Sequence, residues 1–294
     1  MTAAARSQVL LASLCFGTTG TAQALGPGGL APAGVGAARV LVGGGLLVAV
    51  ALLMHGVERL ARLPRRPVLI AAGAVATYQL SFFAAVADTG VAVGTIVALG
   101  SAPALAGGIE WAVERRAPTR AWATATALAC AGVAMLAMAG AEASISLPGV
   151  ALALVAGASY AGYTLAAKRM LGEGHAPETV MAGAFGLGAV AILPVLLLTG
   201  AGWLAQPGGA ALALFLGIVP TAVAYLLFAR GLRRLSAAET ATLTLAEPLT
   251  AALLGVIVLS ERMSAPAALG AALILAGLLA LAAPDVRRPA PVTA

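Results

Sequence analysis

Glu247 is the residue in this sequence best placed to do chemistry. It lies about halfway along a long apolar stretch, residues 237–259, and follows Thr240 and Thr244. Steps of four and three residues put all three side chains on one helix face. An ionisable group in apolar surroundings is costly and normally faces a cavity or a partner. A carboxylate there can pair with an ammonium group or carry a proton. Alternatively, it can serve the backbone that Pro248 leaves without a hydrogen bond. Tyr78, Tyr160, Tyr163, Tyr225, Gln79 and Thr19 fall in other apolar runs. They offer hydroxyl and amide groups either to a polar solute or to a neighbouring helix.

These groups suit recognition rather than bond-making. The chain contains no His-Glu-x-x-His, Gly-x-Ser-x-Gly or Gly-Lys-Ser/Thr sequence, so zinc hydrolysis, acyl transfer and nucleotide hydrolysis have no visible seat. His55 and His175 do not pair at metal-ligand spacing. Cys15 and Cys130 fall inside apolar runs, and no disulfide is expected. No cofactor is expected, and nothing in the sequence specifies an oligomer.

The elements that must hold these residues follow from composition. The 294 residues are 61% hydrophobic and 10% charged, with a mean hydropathy of +1.00. A soluble domain carries about 25% charged residues, so this surface calls for lipid. Apolar runs bounded by Gly, Pro or charge predict ten spans: 8–25, 34–54, 68–87, 90–110, 121–140, 148–167, 178–199, 209–229, 237–259 and 266–283. Each approaches the roughly 20 residues needed to cross the hydrocarbon. Backbone groups in lipid must be satisfied within the segment, so the spans are helices, and the alternating pattern of an outer-membrane barrel is absent. The expected fold is all-α, integral to the membrane. Arg6, Val9–Phe16 and Ala22-Gln23-Ala24 also fit a signal peptide, but cleavage would remove an element of the repeat described below.

The basic residues set the orientation. Arg6, Arg59, Arg62, Arg65, Arg66, Arg115, Arg116, Arg120, Lys168, Arg169, Arg230, Arg233, Arg234, Arg287 and Arg288 fall on one side, leaving Arg39 and Arg262 elsewhere. Positive residues favour the cytoplasm, so both termini, and the segments holding His55 and His175, are expected there. Trp111 and Trp122 flank one cytoplasmic loop, as an interfacial belt would. The net charge of +6 comes in small clusters between apolar runs, without a basic arm. It indicates no nucleic-acid partner. No basic side chain is expected near the midplane, which argues against phosphorylated solutes.

Shifting the chain by 145 residues aligns Gly17 with Gly162, Pro32 with Pro177, Gly43 with Gly188, Phe83 with Phe228, Thr95 with Thr240, Pro103 with Pro248 and Gly132 with Gly277. This predicts two five-helix repeats, residues 1–147 and 148–294, in a single membrane domain. Five is odd, so the second copy runs through the membrane inverted, an architecture recurrent among transporters. Gly43-Gly44-Gly45, Gly90/Gly94 and Gly183/Gly186 are expected to allow close helix approach.

Each repeat carries a proline, an apolar run and a Glu-Arg pair, as Pro103…Glu114-Arg115 and Glu247-Pro248…Glu261-Arg262, followed by a helix containing Gly132 or Gly277. The chain resembles the drug/metabolite transporter superfamily, specifically its ten-helix EamA-type exporters and within them the YddG-type amino-acid exporters. The scarcity of aromatic residues (4%) is a departure from that type. The resemblance implies export of amino acids, related metabolites or drugs across the bacterial inner membrane, a small-molecule substrate and a bilayer as the partners. The expected site is a cavity between spans three, four, eight and nine, with one and six contributing. Glu247, Thr244, Thr240, Tyr78, Gln79, Tyr160, Tyr163, Tyr225 and Thr19 are its candidate binding residues, and Pro103 and Pro248 its candidate hinges. A lipophilic-cation exporter is the nearer alternative; a non-transporting scaffold or an intramembrane enzyme is more remote.

Overall fold

The computed structural model describes residues 2–115, 118–139 and 146–282. Arg116, Arg287 and Arg288 of the basic clusters, and the side chain of Glu114, lie outside the described residues. The chain forms helices α1 (Thr2–Leu25), α2 (Pro32–Ala61), α3 (Arg65–Gly90), α4 (Val93–Ala112), α5 (Arg120–Met138), α6 (Leu147–Gly172), α7 (Pro177–Thr199), α8 (Pro207–Leu232), α9 (Ala237–Leu259) and α10 (Ala265–Ala282). No strand occurs among the described residues. The eight helices α2 to α9 are long and apolar enough to cross a membrane, and α10 is a shorter apolar helix. Outward-facing leucines such as Leu53 and Leu198 are 88% and 87% exposed, a surface suited to acyl chains rather than water.

Prolines at the first turn open α2, α6, α7 and α8, where the missing N–H costs nothing. Thr119 accepts from the Trp122 amide at 3.1 Å to start α5, and Ser236 accepts from Glu239 at 3.0 Å to start α9. Between α3 and α4 the chain reverses at Gly90, whose φ of +80° suits glycine. A side chain at Gly90 would meet nothing, so its value is conformational. Gly94, Gly183 and Gly186 do allow close contact, with Val86, Leu63 and Val48 respectively.

Packing follows a reciprocal pattern. Helices α2 and α7 pack together, as do α5 and α10; α1 packs on α8 and α9, and α6 on the α3–α4 stretch. Gly132 on α5 lies against Gly270 and Ile274 of α10, while Gly277 on α10 lies against Ala125 and Ala129 of α5. Likewise Gly43 faces Gly217 and Thr221, and Gly188 faces Ala72 and Val75. Each pair of contacts maps onto the other at, or within one residue of, the same offset of the chain on itself.

Two helices are interrupted where proline removes a donor. In α9 the backbone tightens at Thr244 and Leu245, separating Ala237–Leu243 from Ala246–Leu259. Pro248 cannot donate to the Thr244 carbonyl, which instead accepts from the Glu247 amide at 2.9 Å. In α8 a wider π turn spans Ile218–Val223 around Pro220. The Leu216 carbonyl that Pro220 leaves free accepts from the Thr221 hydroxyl at 2.8 Å. Pro103 behaves differently from its mate Pro248: helical dihedrals run on through it.

Candidate functional site

A cavity of about 660 Å³ opens inside the bundle. Its walls come from the last turns of α1, α3 and α5, the first turns of α2 and α4, one residue of α8 and the second half of α9. Because successive helices alternate in direction, these segments all lie towards the end of the bundle remote from the basic clusters. Gly20 and Gly90 face open space, Gly17 and Gly36 let Thr250 and Phe83 pack close beside it, and Phe82, Phe83, Leu99 and Leu136 give it an apolar lining. Of the helices expected to enclose the site, α1, α3, α4, α8 and α9 line this cavity. Helix α6, expected to contribute, supplies none of the lining, whereas α2 and α5 do.

Of the residues singled out from sequence, Glu247, Tyr78, Gln79, Thr19 and Pro248 line this cavity. Gln79 donates to the Gly36 carbonyl at 3.2 Å, and the Thr19 hydroxyl to the Phe16 carbonyl at 2.7 Å. Tyr160, Tyr163 and Tyr225 lie beneath it in an aromatic cluster with Phe185 and Phe228. Tyr78 and Phe16 join this floor to the cavity wall, through Tyr160 and Tyr225 respectively. Thr244 shares a 2.9 Å hydrogen bond with Tyr160, and Thr240 donates to the Ser236 carbonyl at 2.8 Å. Thr240, Thr244 and Glu247 thus lie on one helix, but only Glu247 reaches the cavity. Pro103 lies away from the lining, within continuous helix.

Arg39 is a basic side chain inside the bundle, beside the candidate solute space, which the sequence reading did not foresee. It sits two turns into α2, lines the same cavity as Glu247, and its charge acts on Glu247, Tyr78 and Tyr225. Its Nε is buried and has no hydrogen-bond partner. With it goes the argument against anionic groups on the solute. Seven residues past the helix start, an arginine reads as an interfacial anchor; the cavity brings polar space down to it.

The opposite half of the bundle is tied shut by polar contacts. Glu178, at the start of α7 and 6% exposed, holds Arg230 of α8 at 2.7 Å and His55 of α2 at 3.5 Å. Arg6 pairs with Glu239 at 2.7 Å. Lys168 donates to the Leu232 and Leu235 carbonyls at 2.9 and 2.6 Å, and Glu110 accepts from the Ala237 and Ala238 amides, both at 3.1 Å. The α8–α9 connection is therefore gripped from α6 and α4 together. His55, expected in a loop, is the last residue before Gly56, whose φ of +73° breaks α2 ahead of a short helical stretch to Ala61.

The sequence profile of the EamA-like transporter family matches residues 6–138 and again 147–283. The chain belongs to this family. The uncharacterized transporter YwfM of Bacillus subtilis (strain 168) is 42% identical over 278 residues, covering 94% of this chain and 92% of that one. An uncharacterized transporter of Archaeoglobus fulgidus is 34% identical over 131 residues, 45% of this chain and 46% of its own. A crystal structure of a protein 22% identical in sequence shares the fold, with a TM-score of 0.83 over 95% of this chain and 96% of that one. This EamA-like protein is accordingly a multi-pass membrane transporter and not an enzyme. Among the described residues no group of three His, Cys, Asp or Glu side chains could hold a metal ion.

Proposed function

We propose that this protein is a secondary transporter that exports amino acids or related small metabolites across the bacterial cytoplasmic membrane by alternating access. In this reading α1 and α10 complete ten spans, both termini are cytoplasmic, and the halves 1–147 and 148–294 are inverted repeats. The reciprocal glycine contacts and the twofold family match support the repeat. The observation that carries the reading is the cavity itself. It occupies the half of the bundle away from the basic loops, while charged contacts close the other half. A solute site near the seam, reachable from one face at a time, is what alternating access requires.

Glu247, Tyr78, Gln79 and Thr19 then form the solute site, with Tyr160, Tyr163, Tyr225, Thr240 and Thr244 as its support. Pro248, at the break in α9, is the hinge; Pro103 is its counterpart in α4. A site for lipophilic cations fits less well, because Arg39 would repel them. Purified protein in liposomes, given a panel of labelled amino acids and organic cations with and without a pH gradient, tests the reading. Saturable amino-acid flux is expected; flux of cations alone, or none, contradicts it.

A further inference from the structure

We infer that Arg39 and Glu247 form a split charge clamp that selects a solute carrying both a carboxylate and an ammonium group. The inference rests on the transport reading above and deepens it. Both side chains line one cavity. Yet among the described residues they make no ion pair, and the buried Nε of Arg39 has no partner. Two opposite charges in a low-dielectric space attract strongly, and leaving each without a close partner is costly. One is set early in α2, the other just past the break in α9.

A zwitterion between them removes that cost at both ends. The guanidinium fork matches a carboxylate, and Glu247 accepts from the ammonium. An amine or an acid alone satisfies one residue and leaves the other stranded, so the site rejects both. Phe82, Phe83, Leu99 and Leu136 face the same space and suit an apolar substituent. The clamp also sums to zero charge, so a neutral zwitterion leaves the loaded site neutral.

The test uses the purified full chain in detergent. Binding is measured for L-leucine, 3-methylbutylamine and 4-methylpentanoate, which share an alkyl group and differ in the charged ends. An equimolar mixture of the protein amino acids serves as a competitor. The clamp predicts that leucine, or another amino acid in the mixture, binds at least ten-fold more tightly than either half-molecule. Arg39→Gln should abolish the preference over the amine, and Glu247→Gln the preference over the acid. The double exchange Arg39→Glu with Glu247→Arg should recover part of the discrimination, which also guards against simple misfolding of the single variants. Equal binding of amine, acid and amino acid by the wild type, or no binding of any amino acid, overturns the clamp. Selective binding without flux in liposomes would instead sink the transport reading and leave the clamp standing.

Discussion

On the side of the basic loops, four polar devices hold the helices together: Glu178 with Arg230 and His55, Arg6 with Glu239, Lys168 on the end of α8, and Glu110 on the start of α9. On the other side, the residues that correspond under the repeat are small or uncharged. Ala33 stands for Glu178, Gln23 for Lys168, Ala85 for Arg230 and Gly94 for Glu239. Under the proposed repeat the two halves share a backbone plan, a reading that the reciprocal packing of Gly132 and Gly277 supports. Their side chains differ. Symmetry of backbone supplies two ways to close the bundle, and asymmetry of charge makes one of them the tighter. That difference is where the account can be broken.

The largest effect is expected in the open half. Glu247→Gln should cut flux of a zwitterionic solute roughly ten-fold or more, because a charge-assisted contact contributes about 1.5–3 kcal/mol. Initial rates in proteoliposomes measure it, and unchanged rates would remove Glu247 from the site. Next comes the closed half. Glu178→Gln weakens a contact of similar size to a partner, Arg230, that is partly exposed. It should favour opening towards the basic loops by about 1–2 kcal/mol, seen as faster thiol labelling of an Ala238→Cys variant. If labelling does not rise, the contacts are not a latch.

The glycine seam probes the shared backbone. Gly132→Leu and Gly277→Leu should each destabilise the detergent-solubilised protein by about 1–3 kcal/mol through overpacking, and by similar amounts if the two contacts are equivalent. Thermal unfolding followed by circular dichroism gives the comparison. A marked inequality would mean that the reciprocal contacts are not energetically alike. The smallest effect is expected at Arg62, whose pair with Glu58 is exposed on both sides (69% and 80%). Arg62→Ala should change stability by less than about 0.5 kcal/mol, and a larger loss would show that these basic residues do more than face solvent.

Much of the helical framework was legible because lipid imposes a simple rule: uncharged runs of sufficient length, punctuated by Gly and Pro. Eight of the apolar runs, from 34–54 to 237–259, fall on helices long and apolar enough to cross a membrane, and the last falls on a shorter apolar helix. Hydropathy marks where lipid ends, and at α2 that mark falls close to a real break, because non-helical dihedrals at Gly56 follow His55 directly. Glu247 stood out because a lone acid in an apolar run is conspicuous. Arg39 did not, since an arginine near a helix start resembles an interfacial anchor until the cavity beside it is seen. The tyrosines separated for a similar reason. Sequence places Tyr160, Tyr163 and Tyr225 in apolar runs, but only packing shows that their rings fill the floor while Tyr78 reaches the space above. The interruption of α9 was foreshadowed by Pro248. The continuity of α4 through Pro103 was not.

The most direct test asks from which face the cavity is reached. Ala252→Cys places a thiol on its wall, in a background where Cys15 and Cys130 are replaced. A membrane-impermeant maleimide is then applied to right-side-out and to inside-out vesicles. The account predicts rapid labelling from the outer face, slow labelling from the cytoplasmic face, and a shift of that ratio when Glu178→Gln loosens the inner contacts. Equal labelling from both faces in every variant, or labelling from the cytoplasmic face alone, would contradict it.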